Sequence, residues 1–240
     1  MKDHPKVKIG NGDKNYNWLP DFVYAGIDGS VTTFAVVAGV VGASLSTTVI
    51  LILGFANIFA DAFSMSTGKY LSDKSNKEIY KRIEEIEFRH LKEKTKVEKE
   101  EVREILKKYG FKGKNLETAT ETITSNPKAW VDLMMRNEFK MCRESVHPMK
   151  GAITTFVSFV AVGFIPLIAY TFNSLLKLSQ SALFITTCVA TLSALFMVGA
   201  IKSKFSPKNW FISGLETVLI GGLAASIAYL TGVFLKYLIG

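Results

Sequence analysis

The sequence predicts an all-α membrane protein with five transmembrane helices and a helical insert between the second and third. Three observations lead there. The 240-residue chain is 48% hydrophobic yet 21% charged, a combination that fits a folded protein only if the charge is segregated. It is segregated: residues 73–108 alternate Lys, Arg and Glu, whereas 21–72 and 149–240 carry few charges. Finally, five stretches, at about 22–43, 47–69, 151–173, 181–201 and 210–235, are each long enough to cross roughly 30 Å of hydrocarbon as a helix. The chain then divides into an arm (1–20), spans one and two (21–72), an insert (73–148) and spans three to five (149–240).

Each element has its own signal. "GASLS" (42–46) leaves room for only a tight turn between the first two spans. Pro166 interrupts span three, which a membrane helix tolerates at the cost of a kink. Span two continues without a breaker through "SDKSNKEIYKRIEEIEFRHL". A second insert helix over about 95–109 stops at "YGFKG", where Gly110 and Gly113 suit C-terminal caps. "ETATETITSNP" has weak helix propensity, and Ser125-Asn126-Pro127 reads as an N-cap with Pro in the first turn of a last helix, about 127–145.

Orientation follows the distribution of Lys and Arg. The arm carries Lys2, Lys6, Lys8 and Lys14, and the 202–209 loop carries Lys202, Lys204 and Lys208; the 42–46 turn has no basic residue and 174–180 has only Lys177. The arm, the insert and the 202–209 loop are expected in the cytoplasm, with the C-terminus on the opposite side. Residues 1–20 are polar, so the first span must act as its own insertion signal. The net charge of +8 does not indicate nucleic acid, because the basic residues flank spans or sit among glutamates with no aromatic platform. Cys142 and Cys188 form neither a CxxC nor a disulfide framework.

Chemistry is concentrated in two places. In span two, Asn57, Asp61 and Met65 stand four residues apart and stack on one helix face. A carboxylate near the bilayer centre costs roughly 2.5–3.5 kcal/mol even on the lenient insertion scale, so such residues usually mark an ion route. Asp28 in span one, Met65 and Asp61 in span two, and Glu216 in span five all fall in the cytoplasmic third. In the insert, Glu84 and Glu87 are three apart, "EFRH" (87–90) is Glu-x-x-His, and Glu98 and Glu101 repeat the spacing. Met134, Met135 and Glu138 place two thioethers beside a carboxylate. Lys/Glu-rich helices are usually just solvated faces, so the methionine pair is the sharper of these signals. Carboxylates alone suit Mg²⁺, Ca²⁺ or Mn²⁺; thioether and imidazole shift the preference toward softer divalent ions such as Fe²⁺. No P-loop or other nucleotide signature appears, so a carrier of this kind would run on a gradient.

Across nearly its whole length the chain resembles the vacuolar iron transporter family. The resemblance is carried by "DGSVTTFAVVAGVVGA" (28–43), "ADAFSMSTGKYLS" (60–72), "WVDLMMRNE" (130–138) and "SGLETVLIGGLAA" (213–225). It implies a five-helix protomer acting as a homodimer in a multi-pass membrane location, exporting Fe²⁺, and often Mn²⁺ or other divalent ions, from the cytosol in exchange for protons. It also implies Asp28 and Met65 as membrane ligands, and a cytoplasmic metal-binding domain using Glu87, Glu98, Glu101, Met134, Met135 and Glu138. Two positions depart from the plant-type pattern. Asn57 replaces a glutamate, which puts proton coupling there in question, and His90 replaces another glutamate in the insert. Against the exporter stand a passive channel sharing the polar stripe and a membrane-anchored metal sensor or scaffold. A ferroxidase-like di-iron enzyme would want two Glu-x-x-His motifs, and the sequence has one. The membrane itself, plasma membrane or vacuole-like organelle, is not encoded in any legible signal.

Overall fold

The computed structural model describes residues 16–141, 147–205 and 207–239. All regular structure among them is helical, and five helices are long and apolar enough to cross a membrane. Contacts divide the described residues into two units, one of 17–71 with 147–239 and one centred on 72–141.

The apolar unit is built around α1 (Leu19–Gly42), which packs against α6 (Pro148–Gly163), α9 (Gln180–Lys202) and α10 (Trp210–Ile239). Small residues set these approaches. A Cβ on Gly29 would stand 2.6 Å from the backbone oxygen of Phe159 in α6. At the other end of α1, a Cβ on Gly42 would strike the backbone oxygen of Tyr229, and one on Gly232 that of Gly39. Close backbone approach through small residues is how membrane helices gain packing when no hydrophobic drive separates protein from lipid. The outer faces are apolar: Leu219, Ile220, Leu223, Ile227 and Leu230 of α10 are all exposed.

Ser44, at φ 56°, makes the tight turn into α2 (Thr47–Glu93). Span three is broken where Pro166 removes a backbone donor. A 3-10 turn, Ile165–Leu167, follows α6, and the short helices α7 (Ile168–Thr171) and α8 (Asn173–Leu176) complete the crossing. The break is compensated by Thr187 of α9, whose buried hydroxyl donates to the Pro166 carbonyl at 3.2 Å.

In the second unit α2 continues unbroken to Glu93, as the absence of a breaker predicts. It is followed by α3 (Thr95–Lys108), α4 (Gly113–Thr124) and α5 (Pro127–Asn137). Gly110 takes the positive φ of 91° that ends α3, and the Asn126 side chain accepts from the amides of Lys128 and Ala129 to start α5. Two expectations are corrected. The Thr-rich "ETATETIT" is helical, because Leu116, Thr120 and Thr124 are buried along one face, while Thr118, Thr120 and Thr122 satisfy their hydroxyls on carbonyls four residues back. And α5 stops at Asn137 instead of running on toward 145, with Lys140 at φ 56° and the Met141 amide bonded to the Met135 carbonyl. The core of this unit is Leu91, Val102, Ile105, Leu106, Leu116, Trp130, Val131, Met134 and Met135. Burying an aliphatic side chain of this size is worth about 1.5–3 kcal/mol, which is how three short helices hold to the end of α2.

Candidate metal centres

The i, i+3 spacing on α2 puts Glu87 and His90 on one face, and the sharp connection at Lys94 folds α3 back so that Glu98 meets them. His90 Nδ1 lies 3.8 Å from Glu87 Oε1 and 3.5 Å from Glu98 Oε1. All three residues offer ligand atoms within 4.8 Å of one another, and among the described residues no other His, Cys, Asp and Glu group of three does so. Glu87 and Glu98 are 2% and 4% exposed, and the second oxygen of each finds no hydrogen-bond partner among the described residues. Burying a carboxylate without satisfying it is costly, and either a proton or a bound cation relieves that cost.

The cluster lines a cavity of about 330 Å³, into which Glu101 of α3, Glu138 and Lys94 also face. A second cavity of about 400 Å³ is lined by Glu100, Glu101, Glu104, Met134, Asn137 and Glu138. Glu101 and Glu138 therefore border both. Burial pushes the Glu87 carboxyl up to about 7, helped by repulsion from Glu98, Glu138 and Glu101. Glu98 is raised by burial and by Glu101, with His90 and Lys94 opposing; Glu138 is raised by burial and then Glu101. This set of oxygen, nitrogen and sulfur donors fits a borderline divalent ion.

The structure sorts the other insert residues singled out in the sequence. Met134 and Met135 are both wholly buried in the core, and Met134 also borders the second cavity. Glu84 is half-buried on α2 and lines neither cavity. Cys142 lies outside the described residues.

Within the apolar unit, α1 presents Asp28 and α2 presents Asp61, near enough for their charges to act on each other. Met65, one turn beyond Asp61, packs with Ala25, Ala62 and Phe159. One turn the other way, the Asn57 amide nitrogen is buried with no partner among the described residues. The buried hydroxyls of Ser30 and Thr33 on α1 are likewise unmatched among them. Glu216 is engaged differently: Lys208 lies 3.1 Å and Lys202 3.8 Å from its Oε2. Its charge is met locally by the end of α9 and the loop before α10; among the described residues neither Asp28 nor Asp61 forms an ion pair. One residue the spacing argument passed over is Lys69, bound to Asp21 at 3.5 Å; it continues the series 57, 61, 65 by one more step and was legible on that ground.

Comparison with known proteins gives the family of the chain. The family model described as "VIT family" matches residues 19–233. The chain is 33% identical over 229 residues to Vacuolar iron transporter 1 of Oryza sativa subsp. japonica, covering 94% of this chain and 87% of that protein. It is 34% identical over 212 residues to Vacuolar iron transporter 1 of Arabidopsis thaliana, covering 87% and 82%. To the Vacuolar iron transporter of Toxoplasma gondii it is 32% identical over 241 residues, covering 97% and 79%. With the family model reaching from the first apolar helix into the last, and both acid-bearing regions inside the match, the chain belongs to the VIT family.

Proposed function

We propose that this protein is a transporter, not an enzyme, and that it moves Fe²⁺, with Mn²⁺ and related divalent ions as further substrates, out of the cytosol in exchange for protons. The observation that carries this reading is the Asp28–Asp61 pair. Two acids on different helices lie inside apolar spans, within reach of each other's charge, with a thioether one turn from the second. Carboxylates at that depth demand a cation, and a divalent ion and protons compete for the same oxygens. That competition is what an exchanger needs. Names of relatives supply the iron and the vacuole-like membrane.

In the same reading, Glu87, His90, Glu98, Glu101, Met134 and Glu138 form a cytoplasmic gathering site, with Met135 buried behind it. Metal arriving there displaces the Glu87 proton, so binding strengthens as pH rises through about 7. In this reading the insert, following two spans, returns to the side of the N-terminus, and the basic residues of the arm and of the 202–209 loop support the cytoplasm as that side. A homodimer would cover part of the exposed apolar flank of the five-helix bundle.

The test is Fe²⁺ uptake into liposomes holding the purified protein, with internal pH recorded together with metal. Metal entry coupled to proton exit and driven by an imposed pH gradient is the expected result. Metal entry without proton movement would make the protein a channel, with the non-titrating Asn57 as the reason. Ions bound by the insert with none crossing the bilayer would make it a sensor or scaffold.

A further inference from the structure

His90 is the only imidazole on the wall of the first insert cavity, where the other ligating groups are the carboxylates of Glu87, Glu98, Glu101 and Glu138. Lys94 also faces it, but an ammonium has donors only and cannot ligate. The imidazole is aimed at the acids: its Nδ1 lies 3.8 Å from Glu87 Oε1 and 3.5 Å from Glu98 Oε1. Donors held about 2.1 Å from one ion stand about 3.0–3.4 Å apart, so the three need to close up only slightly. The placement is built into the backbone where α2 turns into α3. There the Lys94 amide donates to the His90 carbonyl at 2.8 Å, and the Thr95 hydroxyl donates to the carbonyl of Leu91, a core residue, at 2.6 Å. Glu87 and Glu98 are each more than nine-tenths buried, with Oε2 unpartnered among the described residues. Ile83, Ile86 and Phe139 supply an apolar part of the wall. An ion that enters therefore exchanges water for protein donors.

We propose that His90 sets the ion preference of this cavity: its Nδ1 is a nitrogen ligand that favours borderline ions such as Fe²⁺ and Co²⁺ over Ca²⁺ and Mg²⁺. The proposal rests on the reading of the insert as a metal-gathering site and adds which residue chooses among metals. Carboxylates alone discriminate poorly, because hard ions take oxygen ligands as readily as borderline ones do, whereas imidazole suits the borderline ions. Mg²⁺ also gives up its waters reluctantly, and the apolar part of the wall offers it nothing in return. A carboxylate in place of the imidazole would add one charge and one oxygen donor, both in favour of Ca²⁺. An imidazolium that merely neutralised Glu87 and Glu98 would confer no such preference, since every divalent ion would compete with it on charge alone.

The experiment is metal binding to the purified full-length protein in detergent. Co²⁺ and Ca²⁺ are titrated by calorimetry, alone and in competition, and bound Mn²⁺ is read by electron spin-echo spectroscopy. The variants are His90→Gln, His90→Glu and the double variant Glu87→Gln with Glu98→Gln; binding lost in the double variant is the part that belongs to the insert. For that part, the parent is expected to show nitrogen coupling to Mn²⁺, and both His90 variants to lose it. His90→Gln, which stays neutral, is expected to bind Co²⁺ about tenfold more weakly with Ca²⁺ little changed. His90→Glu is expected to raise Ca²⁺ affinity about tenfold as well, so that the preference for Co²⁺ over Ca²⁺ falls about a hundredfold from the parent. An unchanged preference in both His90 variants, or no nitrogen coupling in the parent, overturns the proposal. So does an equal loss of Co²⁺ and Ca²⁺ binding in His90→Gln, which would make His90 a prop for the cavity wall. Should His90→Glu fail to fold, His90→Gln and the nitrogen coupling of the parent decide by the same criteria. Parent-like binding in the double variant would remove the insert site itself, and the proposal with it. Binding lost there while both His90 variants keep the parental preference would sink the proposal alone.

Discussion

Met65 packs among Ala25, Ala62 and Phe159, and in that setting a methionine is unremarkable until the acid one turn away is considered. Met65→Ala removes the only soft donor of the stripe and little of the core. Fe²⁺ uptake is expected to fall about tenfold, the scale of one lost ligand interaction, while thermal unfolding in detergent stays within a few degrees of the parent. Unchanged uptake would take Met65 out of the path. Glu87 makes a different prediction. Its folded pKa of about 7 lies above its ordinary value of 4.5, so the folded state holds a proton that the unfolded chain has lost. The contribution is fully present below pH 4.5 and fades as pH rises to about 7. Compared with Glu87→Gln, the metal-free parent should lose thermal stability between pH 5 and pH 8, and added Mn²⁺ should close the gap. At this scale the sequence was partly readable. Spacing on one helix placed Glu87 beside His90, and the same rule placed Asp61 beside Met65. It also put Glu84 in the cluster and Glu216 in the path. The cavity linings leave the first out, and Lys202 and Lys208 hold the second, and neither circumstance is visible along a single helix.

Elements were legible where a residue acts through the backbone alone. Asn126-Pro127 starts α5, Gly110 ends α3, and Pro166 breaks span three, each for reasons contained within a few residues. The threonines of α4 misled because their propensity is weak in isolation, and only the packed face of Leu116, Thr120 and Thr124 tips the balance. The break at Pro166 was foreseeable, but its hydroxyl partner, 21 residues away in Thr187, was not. Thr187→Val keeps the shape and removes that donor; a loss of about 1 kcal/mol should appear as a lowered midpoint in detergent unfolding. Gly29→Ala is harsher, since the new methyl meets the Phe159 backbone oxygen, which cannot rotate away. Overpacking of this kind typically costs about 1–3 kcal/mol, and reduced yield of folded protein by size-exclusion chromatography is the expected result.

At the scale of the whole molecule the number of apolar helices decides the topology. In the proposed arrangement all five cross, so the two ends of the chain fall on opposite faces of the bilayer and an insert after two crossings returns to the starting side. Single-cysteine labelling in a Cys-free background should therefore find Lys99→Cys and an N-terminal cysteine reactive from one face, with Gly240→Cys reactive from the other. Any other pattern would remove the orientation on which export depends. Hydropathy made this level readable, because hydrocarbon tolerates few alternatives to a helix. How the helices pack was not readable, since it depends on which glycines meet which backbones. Those meetings also divide the labour among the helices. α1 is fastened to α6 at Gly29 and to α10 at Gly42 and Gly232 by contacts with no side chain to yield. The apolar window of α2, by contrast, is only 22% buried, against 56% for α1, and a Cβ on its Gly68 would meet nothing within 4 Å. The backbone of α1 is thus the one with least room to shift, and Asp28 stands next to its fastening at Gly29, while Asp61 and Met65 ride on a helix held by fewer such contacts.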